Sequence, residues 1–188
     1  MSDFPPAAQR YAEIGFCPRC GQRYAGSDFH PADCLYLCPA CGFDFYQNPL
    51  PAAVVAIAGP SQPGTVLMLK RRTAPGLGLW CVPGGFIRYG ETPEHAAMRE
   101  AREEVGADIA LDGVLRTGLV DYRYRGRQIC VVEIAFAAHL AGPVQRASDE
   151  AEEIAFRPAD ALIAAPGLLA FPEQREVLIA FRERFIAR

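Results

Sequence analysis

The chain has 188 residues, of which 51% are hydrophobic and 22% are charged, and its formal net charge is -3. These values are typical of one globular domain with room for a small appendage, and they exclude a disordered or a fibrous chain. The negative balance also argues against a protein that binds nucleic acid through bulk positive charge, so no nucleic-acid partner is expected.

The apolar stretches of the chain are short. The longest, Ala52–Gly59, is far below the roughly 20 residues that a membrane-spanning helix needs. The sequence begins Met-Ser-Asp-Phe-Pro-Pro and lacks the basic and apolar regions of a signal peptide. It therefore predicts a soluble, cytoplasmic protein without a membrane partner.

Two cysteine pairs dominate the N-terminal segment: Cys17-Pro-Arg-Cys20-Gly and Cys38-Pro-Ala-Cys41-Gly. The spacing is typical of a zinc ribbon, because each turn presents two thiolates and four thiolates satisfy tetrahedral Zn²⁺ without leaving an open position. The site is therefore predicted to be structural. A redox dithiol is the alternative, and His30 and Cys34 are alternative ligands between the pairs. Seven cysteines is an odd number, which argues against a disulfide framework.

The composition changes after residue 47, where aliphatic residues become frequent. A segment of under about 50 residues rarely buries enough apolar surface to fold alone, so it needs a metal or a partner. The sequence predicts a zinc ribbon over residues 1–47 and a larger domain over 48–188. The ribbon is expected to act as a scaffold or to form a homodimer, because Arg19 and Arg23 are the only strong cations in and between its cysteine pairs.

The larger domain begins with a predicted β-hairpin formed by Ala52–Ala58 and Thr65–Lys70, joined by a turn rich in proline and glycine. A helix follows over Pro93–Val105, with Thr92 at its N-cap and Gly106 at its C′ position. Two more strands are predicted over Gly118–Tyr124 and Arg127–Ala138, joined by a turn at Arg125-Gly126. A short strand over Glu152–Phe156 and an amphipathic helix over Pro172–Ile186 follow. Together they predict an α/β domain with a mixed sheet.

Three carboxylates share one face of the predicted helix. Glu100, Glu103 and Glu104 cover an arc of roughly 100° that lies beside the apolar arc. Anions this close repel one another, and divalent cations with oxygen ligands relieve the repulsion. Mg²⁺ or Mn²⁺ would also bind substrate phosphates, so the pattern predicts phosphate chemistry without a P-loop. A solvated acidic helix is the alternative.

The residues from Gly85 to Ala107, called the acidic motif here, extend this pattern. They resemble the Nudix box, Gly-x5-Glu-x7-Arg-Glu-U-x-Glu-Glu-x-Gly-U with U aliphatic. All fixed positions match, and they are Gly85, Glu91, Arg99, Glu100, Glu103, Glu104 and Gly106. The departures are Ala101 and Ala107 in the aliphatic positions, which are expected to loosen the packing behind the helix without removing a ligand.

The resemblance to the Nudix family covers about residues 50–160 and implies an α/β/α sandwich with a mixed sheet. It implies hydrolysis of a nucleoside diphosphate linked to another moiety, with Mg²⁺ or Mn²⁺ bound by Glu100, Glu103 and Glu104. The Gly85 carbonyl is a further candidate ligand, while Glu91 and Arg99 would brace the preceding loop. In this family the general base is a box glutamate or a glutamate of a later loop. The box candidate here is Glu103, and the loop candidates are Glu150, Glu152 and Glu153, of which Glu150 is preferred because the other two are expected to enter the next strand.

Substrate contacts are predicted from two further segments. Tyr122 and Tyr124 alternate with arginines, so a tyrosine could stack on a base while an arginine meets phosphate. Arg71 and Arg72, at the end of the second strand of the hairpin, are further candidates. An exposed hairpin tip would give the same pattern as the two tyrosines.

The cysteine pairs followed by Tyr46-Gln47-Asn48-Pro49 and the acidic motif are similar to a Nudix subgroup associated with ADP-ribose or FAD pyrophosphatase activity. NADH pyrophosphatases also carry a zinc ribbon, but their Ser-Gln-Pro-Trp-Pro-Phe-Pro signature has no counterpart after the motif. The favoured prediction is therefore a metal-dependent pyrophosphohydrolase whose partner is a small nucleotide substrate. The alternatives are a non-catalytic nucleotide sensor with a ribbon that contacts nucleic acid, and a house-cleaning hydrolase of nucleoside triphosphates.

Overall fold

The computed structural model of this protein describes residues 14–124, 127–144, 149 and 151–185, with the backbone alone for 122–124 and 127–128. The chain forms two compact units, Met1–Pro49 and Leu50–Arg188. None of the helices in the described ranges is long and apolar enough to cross a lipid bilayer.

The N-terminal unit contains a three-stranded antiparallel sheet with the order β1-β2-β3, formed by β1 (Phe29–His30), β2 (Leu35–Leu37) and β3 (Asp44–Tyr46). Its apolar centre is aromatic. The Tyr36 ring is buried and lies 5.0 Å from the ring of Tyr24 and 4.7 Å from that of Phe29, measured between centroids. Three rings are a small core, consistent with a unit that needs further stabilisation.

The larger unit is built on a seven-stranded sheet. Its strands are β4 (Leu50–Ala58), β5 (Thr65–Arg71), β6 (Trp80–Cys81), β7 (Gly84–Phe86), β8 (Ile109–Tyr124), β9 (Arg127–Leu140) and β10 (Ala151–Pro158). The order is β10-β5-β4-β9-β8, with β6 paired to β5 and β7 paired to β4. Strands β4 and β9 are parallel and the other pairs are antiparallel, so the sheet is mixed as predicted.

Helices cover both faces of this sheet. They are α1 (Pro93–Val105), α2 (Ala159–Ala164) and α3 (Gln174–Phe185). Strand β4 alternates between the two sides: Val55 and Ile57 share a buried cluster with Ala101 of α1. Val54 lies in a second cluster with α2 and α3 side chains, among them Phe181. The result is the predicted α/β/α sandwich.

The predicted elements agree with the structure at their centres and differ at their ends. Helix α1 has the predicted bounds, and the hairpin is present, with Ala58 opposite Val66. Strand β8 begins at Ile109 and not at Gly118, and α3 begins at Gln174. The turn at Arg125-Gly126 lies outside the described residues. The elements that the sequence did not predict in this unit are β6, β7 and α2.

Candidate active site

Helix α1 presents the acidic motif, and its two ends are fixed by local hydrogen bonds. The Thr92 hydroxyl accepts a hydrogen bond from the backbone N–H of His95 at 3.3 Å, as an N-cap does. Gly106 adopts a left-handed conformation at φ 61°, and the N–H of Ala107 reaches back to the carbonyl of Ala101 at 3.1 Å. These caps fix where the helix starts and stops, and so which residues face the preceding loop.

Small residues on the inner face of α1 bring the helix close to the sheet. Ala96, Ala97, Ala101 and Ala107 are fully buried. The alanines at 101 and 107 were expected to loosen the packing behind the helix. They lie instead within the main apolar cluster with Val105, because the short side chains let the helix backbone approach the strands.

Arg99 is the centre of the charged network. Its guanidinium makes two hydrogen bonds to Glu91, at 2.8 and 3.0 Å, and one to each of two further carboxylates, Glu100 at 2.6 Å and Glu103 at 3.0 Å. It also donates to the backbone carbonyl of Phe86 at 3.1 Å. One side chain therefore connects strand β7, the loop after it and helix α1, which is the bracing role predicted for Arg99 and Glu91.

The ionisation of these groups follows from that network. The bonds from Arg99, together with the backbone N–H of Arg88, lower the pKa of Glu91 to about 2. The same carboxylates raise the pKa of Arg99. Burial raises the pKa of Glu100, and the adjacent Arg99 opposes this effect. Glu91 and Arg99 thus form a permanent ion pair, whereas Glu100 is a buried carboxylate that benefits from a cation.

Two glycines place backbone directly against the carboxylates. The N–H of Gly84 donates to Glu104 at 2.9 Å. A Cβ built on Gly84 would lie 2.6 Å from the backbone oxygen of Ala53 and 2.7 Å from the Cα of Val54, so only glycine fits there. A Cβ on Gly85 would meet the carboxylate of Glu100, so glycine at 85 lets this carboxylate lie against strand β7.

The three helix glutamates differ in exposure and direction. Glu104 is buried at 8% exposure, Glu100 has 13% of its side chain exposed and Glu103 has 47%. Glu103 lies between Arg99 and Arg88, whose guanidinium is 3.2 Å away, while Glu104 turns inward to Gly84. Glu100 and Glu104 border the core as predicted, whereas Glu103 is about half exposed, and arginines pair with Glu100 and Glu103. Carboxylate oxygens are the ligands that Mg²⁺ and Mn²⁺ prefer. The three glutamates therefore offer suitable ligand atoms next to the backbone of Gly84 and Gly85.

A pocket opens beside the acidic motif and encloses about 500 Å³ including its mouth. Its walls come from β4, β7, β8 and β9 and from the start of α3, and the lining includes Ala52, Val54, Arg71, Gly84, Gly85, Phe86, Val120, Val131, Glu133, Phe171 and Gln174. Most of these side chains are apolar. Gln174 is buried and its Oε1 accepts a hydrogen bond from the N–H of Val82 at 3.1 Å, which ties α3 to the pocket wall.

Arg71 and Glu133 are the charged residues of this lining; Arg71 was predicted as a substrate contact together with Arg72, whereas Glu133 was not predicted. Arg71 donates to the Pro75 carbonyl at 2.6 Å and lies over the ring of Phe171, 5.2 Å from its centroid. Arg72, the other predicted substrate contact, is exposed and is not part of the lining. Strand β5 ends at Arg71, and Arg72 lies in the bend that follows the strand.

The remaining predicted residues fall where side chains are not described. Tyr122 and Tyr124 belong to β8, opposite Ile129 and Arg127 of β9. Glu150, the predicted loop base, lies outside the described residues. Their predicted contacts with substrate or water stay predictions.

The four cysteines of the N-terminal unit come together as predicted. Their sulfur atoms all lie within 4.8 Å of one another. Cys17 and Cys41 are 3.8 Å apart between sulfurs, and Cys20 and Cys38 are 3.6 Å apart. Four thiolates about 2.3 Å from one tetrahedral ion would be about 3.8 Å apart, so the cluster is compatible with zinc.

The two cysteine turns have the same construction. In each, the glycine after the second cysteine donates its N–H to the carbonyl of the first cysteine at 2.9 Å, from Gly21 to Cys17 and from Gly42 to Cys38. Both glycines have positive φ, 76° and 66°. This conformation explains why each pair is followed by glycine. It also aims two sulfurs to the same side of each bend.

The comparisons with known proteins agree with this fold and site. The model of the NUDIX domain matches residues 48–181, and the chain therefore belongs to the Nudix family. The ADP-ribose pyrophosphatase of Methanocaldococcus jannaschii is 34% identical over 91 residues, which cover 48% of this chain and 53% of that protein. The NAD-capped RNA hydrolase NudC of Pseudomonas aeruginosa is 32% identical over 95 residues, 50% of this chain and 32% of that protein. The chain thus spans about half the length of the first relative and a third of the second.

Solved structures show the same fold. A Nudix hydrolase from Nitrosomonas europaea is 25% identical, with a TM-score of 0.62 over 87% of this chain and 93% of that one. The NUDIX domain of Shewanella oneidensis NrtR, solved with ADP ribose, is 23% identical and covers 74% of this chain and 90% of that one, with a TM-score of 0.58. The second likeness concerns the fold alone.

Proposed function

We propose that residues 48–188 form a pyrophosphohydrolase domain that cleaves the phosphoanhydride bond of a nucleoside diphosphate linked to another moiety. The observation that carries this proposal is the arrangement of Glu100, Glu103 and Glu104 against the Gly84-Gly85 backbone. The domain's family membership and the adjoining apolar pocket support it. A pure sensor has no need for three metal-binding carboxylates beside its pocket.

Glu100, Glu103 and Glu104 would hold Mg²⁺ or Mn²⁺, with the Gly85 carbonyl as a further ligand. When bound, such an ion neutralises the diphosphate and lowers the pKa of a bound water. The chain's own residues orient the site: Arg99 and Glu91 fix the loop on the helix, and the Gly84 N–H holds Glu104. A carboxylate accepts the proton of the attacking water, and Glu103 and Glu150 are the candidates for this role.

ADP-ribose or an FAD-like dinucleotide is the favoured substrate. The relatives support this class, because one is an ADP-ribose pyrophosphatase and several are NAD-capped RNA hydrolases. The second set makes a nicotinamide dinucleotide the next candidate, although the chain lacks the signature of NADH pyrophosphatases. Every substrate in this class joins two organic groups through one pyrophosphate.

Residues 1–47 are proposed to form a structural zinc ribbon that serves as a scaffold or as a homodimer contact. The four sulfurs at mutual distances suited to one ion support the zinc assignment. No open position remains for a substrate when four thiolates bind one tetrahedral ion, so catalysis is assigned to the larger domain.

A substrate panel tests the proposed function. The full chain is incubated with ADP-ribose, FAD, NADH, diadenosine polyphosphates and nucleoside triphosphates, with Mg²⁺ or Mn²⁺, and the product masses are recorded. ADP-ribose should give AMP and ribose 5-phosphate, one water being consumed for each bond broken. Turnover of triphosphates alone would identify a house-cleaning enzyme. If no substrate is hydrolysed but a ligand raises the melting temperature, the protein is a sensor.

A further inference from the structure

Glu133 is a buried carboxyl that the metal site does not use. It lies on β9, is 6% exposed, and is paired in the sheet with Ala52 of β4 and Gly118 of β8. Among the residues that the structure describes, its Oε1 atom has no hydrogen-bond partner. A buried polar atom without a partner costs about 1–3 kcal/mol, so a ligand that supplies the missing donor would gain correspondingly.

The surroundings of Glu133 belong to the same pocket as the acidic motif. Gly84 and Gly85 line one part of the pocket, and Glu133 lines another together with Phe86 and Phe171. A molecule whose phosphates are at the motif would therefore place a neighbouring group within the same cavity. Apart from Arg71, Gln174 and Glu133, the lining side chains are apolar, except for the thiol of Cys81.

We propose that Glu133 determines which base the pocket accepts, by taking a hydrogen bond from the exocyclic amine of a purine. This inference rests on the proposed function, because it assigns the organic end of the same nucleotide substrate. The occupant it specifies is a flat aromatic ring with a polar edge, and the amine of adenine supplies the donor.

The shape and polarity of the pocket favour a base over a sugar at this position. A purine buries two apolar faces, which suits walls that contain two phenylalanine rings. A ribose carries hydroxyls on several sides and would leave some of them against apolar walls without partners. The unpartnered carboxyl oxygen of Glu133 can accept a hydrogen bond that the amine of such a base donates.

The electrostatics agree with a role in recognition. Burial raises the pKa of Glu133 to about 7, while the positive charge of Arg116 on β8 lowers it and the negative charge of Glu173 before α3 raises it. Both the neutral and the ionised carboxyl retain an oxygen that accepts a hydrogen bond. Recognition of an amine therefore persists across neutral pH, and the ionised form binds the amine more strongly.

Binding of two ligands that differ by the amine alone tests the proposal. The dissociation constants of AMP and of purine riboside 5′-monophosphate, which lacks the amine, are measured by calorimetry with Mg²⁺. The wild-type chain should bind AMP at least about tenfold more tightly. Glu133→Leu should abolish this preference, and Glu133→Gln should keep it because the amide retains an acceptor oxygen. The preference should strengthen with rising pH in the wild type and not in Glu133→Gln.

The matched control is Glu183→Gln, an exposed glutamate near the end of α3, which should leave both constants unchanged. If Glu133→Leu keeps the wild-type preference for AMP, or weakens the binding of both ligands equally, Glu133 does not recognise the amine. Melting temperatures of all variants report folding independently. Since AMP binding requires no cleavage, this result stands apart from the substrate panel, and inactive protein that still discriminates the two ligands would reject only the proposed hydrolysis.

Discussion

Arg99 shows how much a single side chain organises in this site. Its planar guanidinium forms hydrogen bonds in several fixed directions, to Glu91, Glu100 and Glu103 as well as to a backbone carbonyl. A lysine has the same charge but offers one nitrogen, so it cannot make the two parallel bonds to Glu91. Since 16% of the Arg99 side chain is exposed, water replaces few of the lost bonds.

Arg99→Lys should destabilise the larger unit by about 3 kcal/mol, because it leaves largely buried carboxylates without their partner. The fluorescence of Trp80, the single tryptophan of the chain, reports urea unfolding of this unit. The control is Arg102→Lys on the same helix. Its ion pair with Asp108 is exposed, and the change should stay within about 0.5 kcal/mol. Equal effects of the two substitutions would contradict the role assigned to Arg99.

Glu103 is the most exposed of the three helix glutamates. Glu103→Gln should lower turnover of the best panel substrate by at least about a hundredfold, as expected for loss of a metal ligand or general base. Glu94→Gln, at an exposed position about two and a half helix turns away, should retain the wild-type rate. Near-normal turnover of Glu103→Gln would remove this residue from the mechanism.

Glu133 also links stability to pH. Its pKa is about 7 in the folded chain against an ordinary 4.5, so between these values the folded chain keeps a proton that the unfolded chain has released. The free energy of unfolding therefore falls as the pH rises through this window, by up to roughly 3 kcal/mol. Glu133→Leu should remove that loss. The free energy of unfolding of the variant minus that of wild type should be about 2 kcal/mol larger at pH 8 than at pH 5. Parallel stability profiles for the two proteins would contradict a raised pKa.

The sequence identified residues whose roles depend on neighbours along the chain. The bracing pair and the helix glutamates follow from spacing on one helix and its adjoining loop. Glu133 could not be found this way, because a single glutamate in an apolar strand becomes a pocket residue only through pairing with β4. Which of Arg71 and Arg72 lines the pocket likewise depends on where β5 ends, and this end is at Arg71.

At the scale of secondary structure, the predictable elements are those with strong local end signals. Helix α1 has a capping threonine, an early proline and a terminal glycine, and its predicted bounds were confirmed. Strands β6 and β7 have two and three residues, too few for a periodic pattern, and they form because β5 and β4 supply partners. The first half of β8 was missed because Gly113, at φ 110°, interrupts the alternation at a register shift.

The C-terminal cap of α1 is open to a direct test. Gly106 has φ 61°, a conformation that costs a residue with a Cβ roughly 1 kcal/mol. Gly106→Ala should therefore lower the free energy of unfolding by about this amount, while Gly106→Asn should lower it less because asparagine tolerates the conformation. Urea titrations of both variants measure the difference. An alanine variant as stable as the asparagine variant would show that the backbone conformation is not the determinant.

On the scale of the whole molecule, the two units differ in what stabilises them. The larger unit has two buried apolar clusters on opposite faces of its sheet. The smaller unit has a short sheet, a few aromatic contacts and four clustered sulfurs. A metal ion is the contribution that a unit of this size most needs, since metal binding to such a site supplies about 10 kcal/mol or more of folding free energy.

Elemental analysis of the purified chain should find about one zinc per molecule. Cys38→Ser should reduce the zinc content and increase proteolysis of the N-terminal unit, because it removes one of four ligands. Cys34→Ser is the matched control: this cysteine lies between the pairs, outside the cluster of four, and its loss should leave the zinc content unchanged. Full zinc content in Cys38→Ser would reassign the ligands.

The parallel pairing of β4 with β9 has a consequence for biosynthesis. Leu50 lies opposite Val131 and Ala58 opposite His139, so the middle of the sheet joins segments that leave the ribosome far apart in time. Until β9 has emerged, the apolar β4 presents an unsatisfied edge to other nascent chains. Translation that stalls within the acidic motif should therefore yield fragments that are prone to aggregation. Chaperones that shield strand edges should act on this protein before β9 has paired with β4.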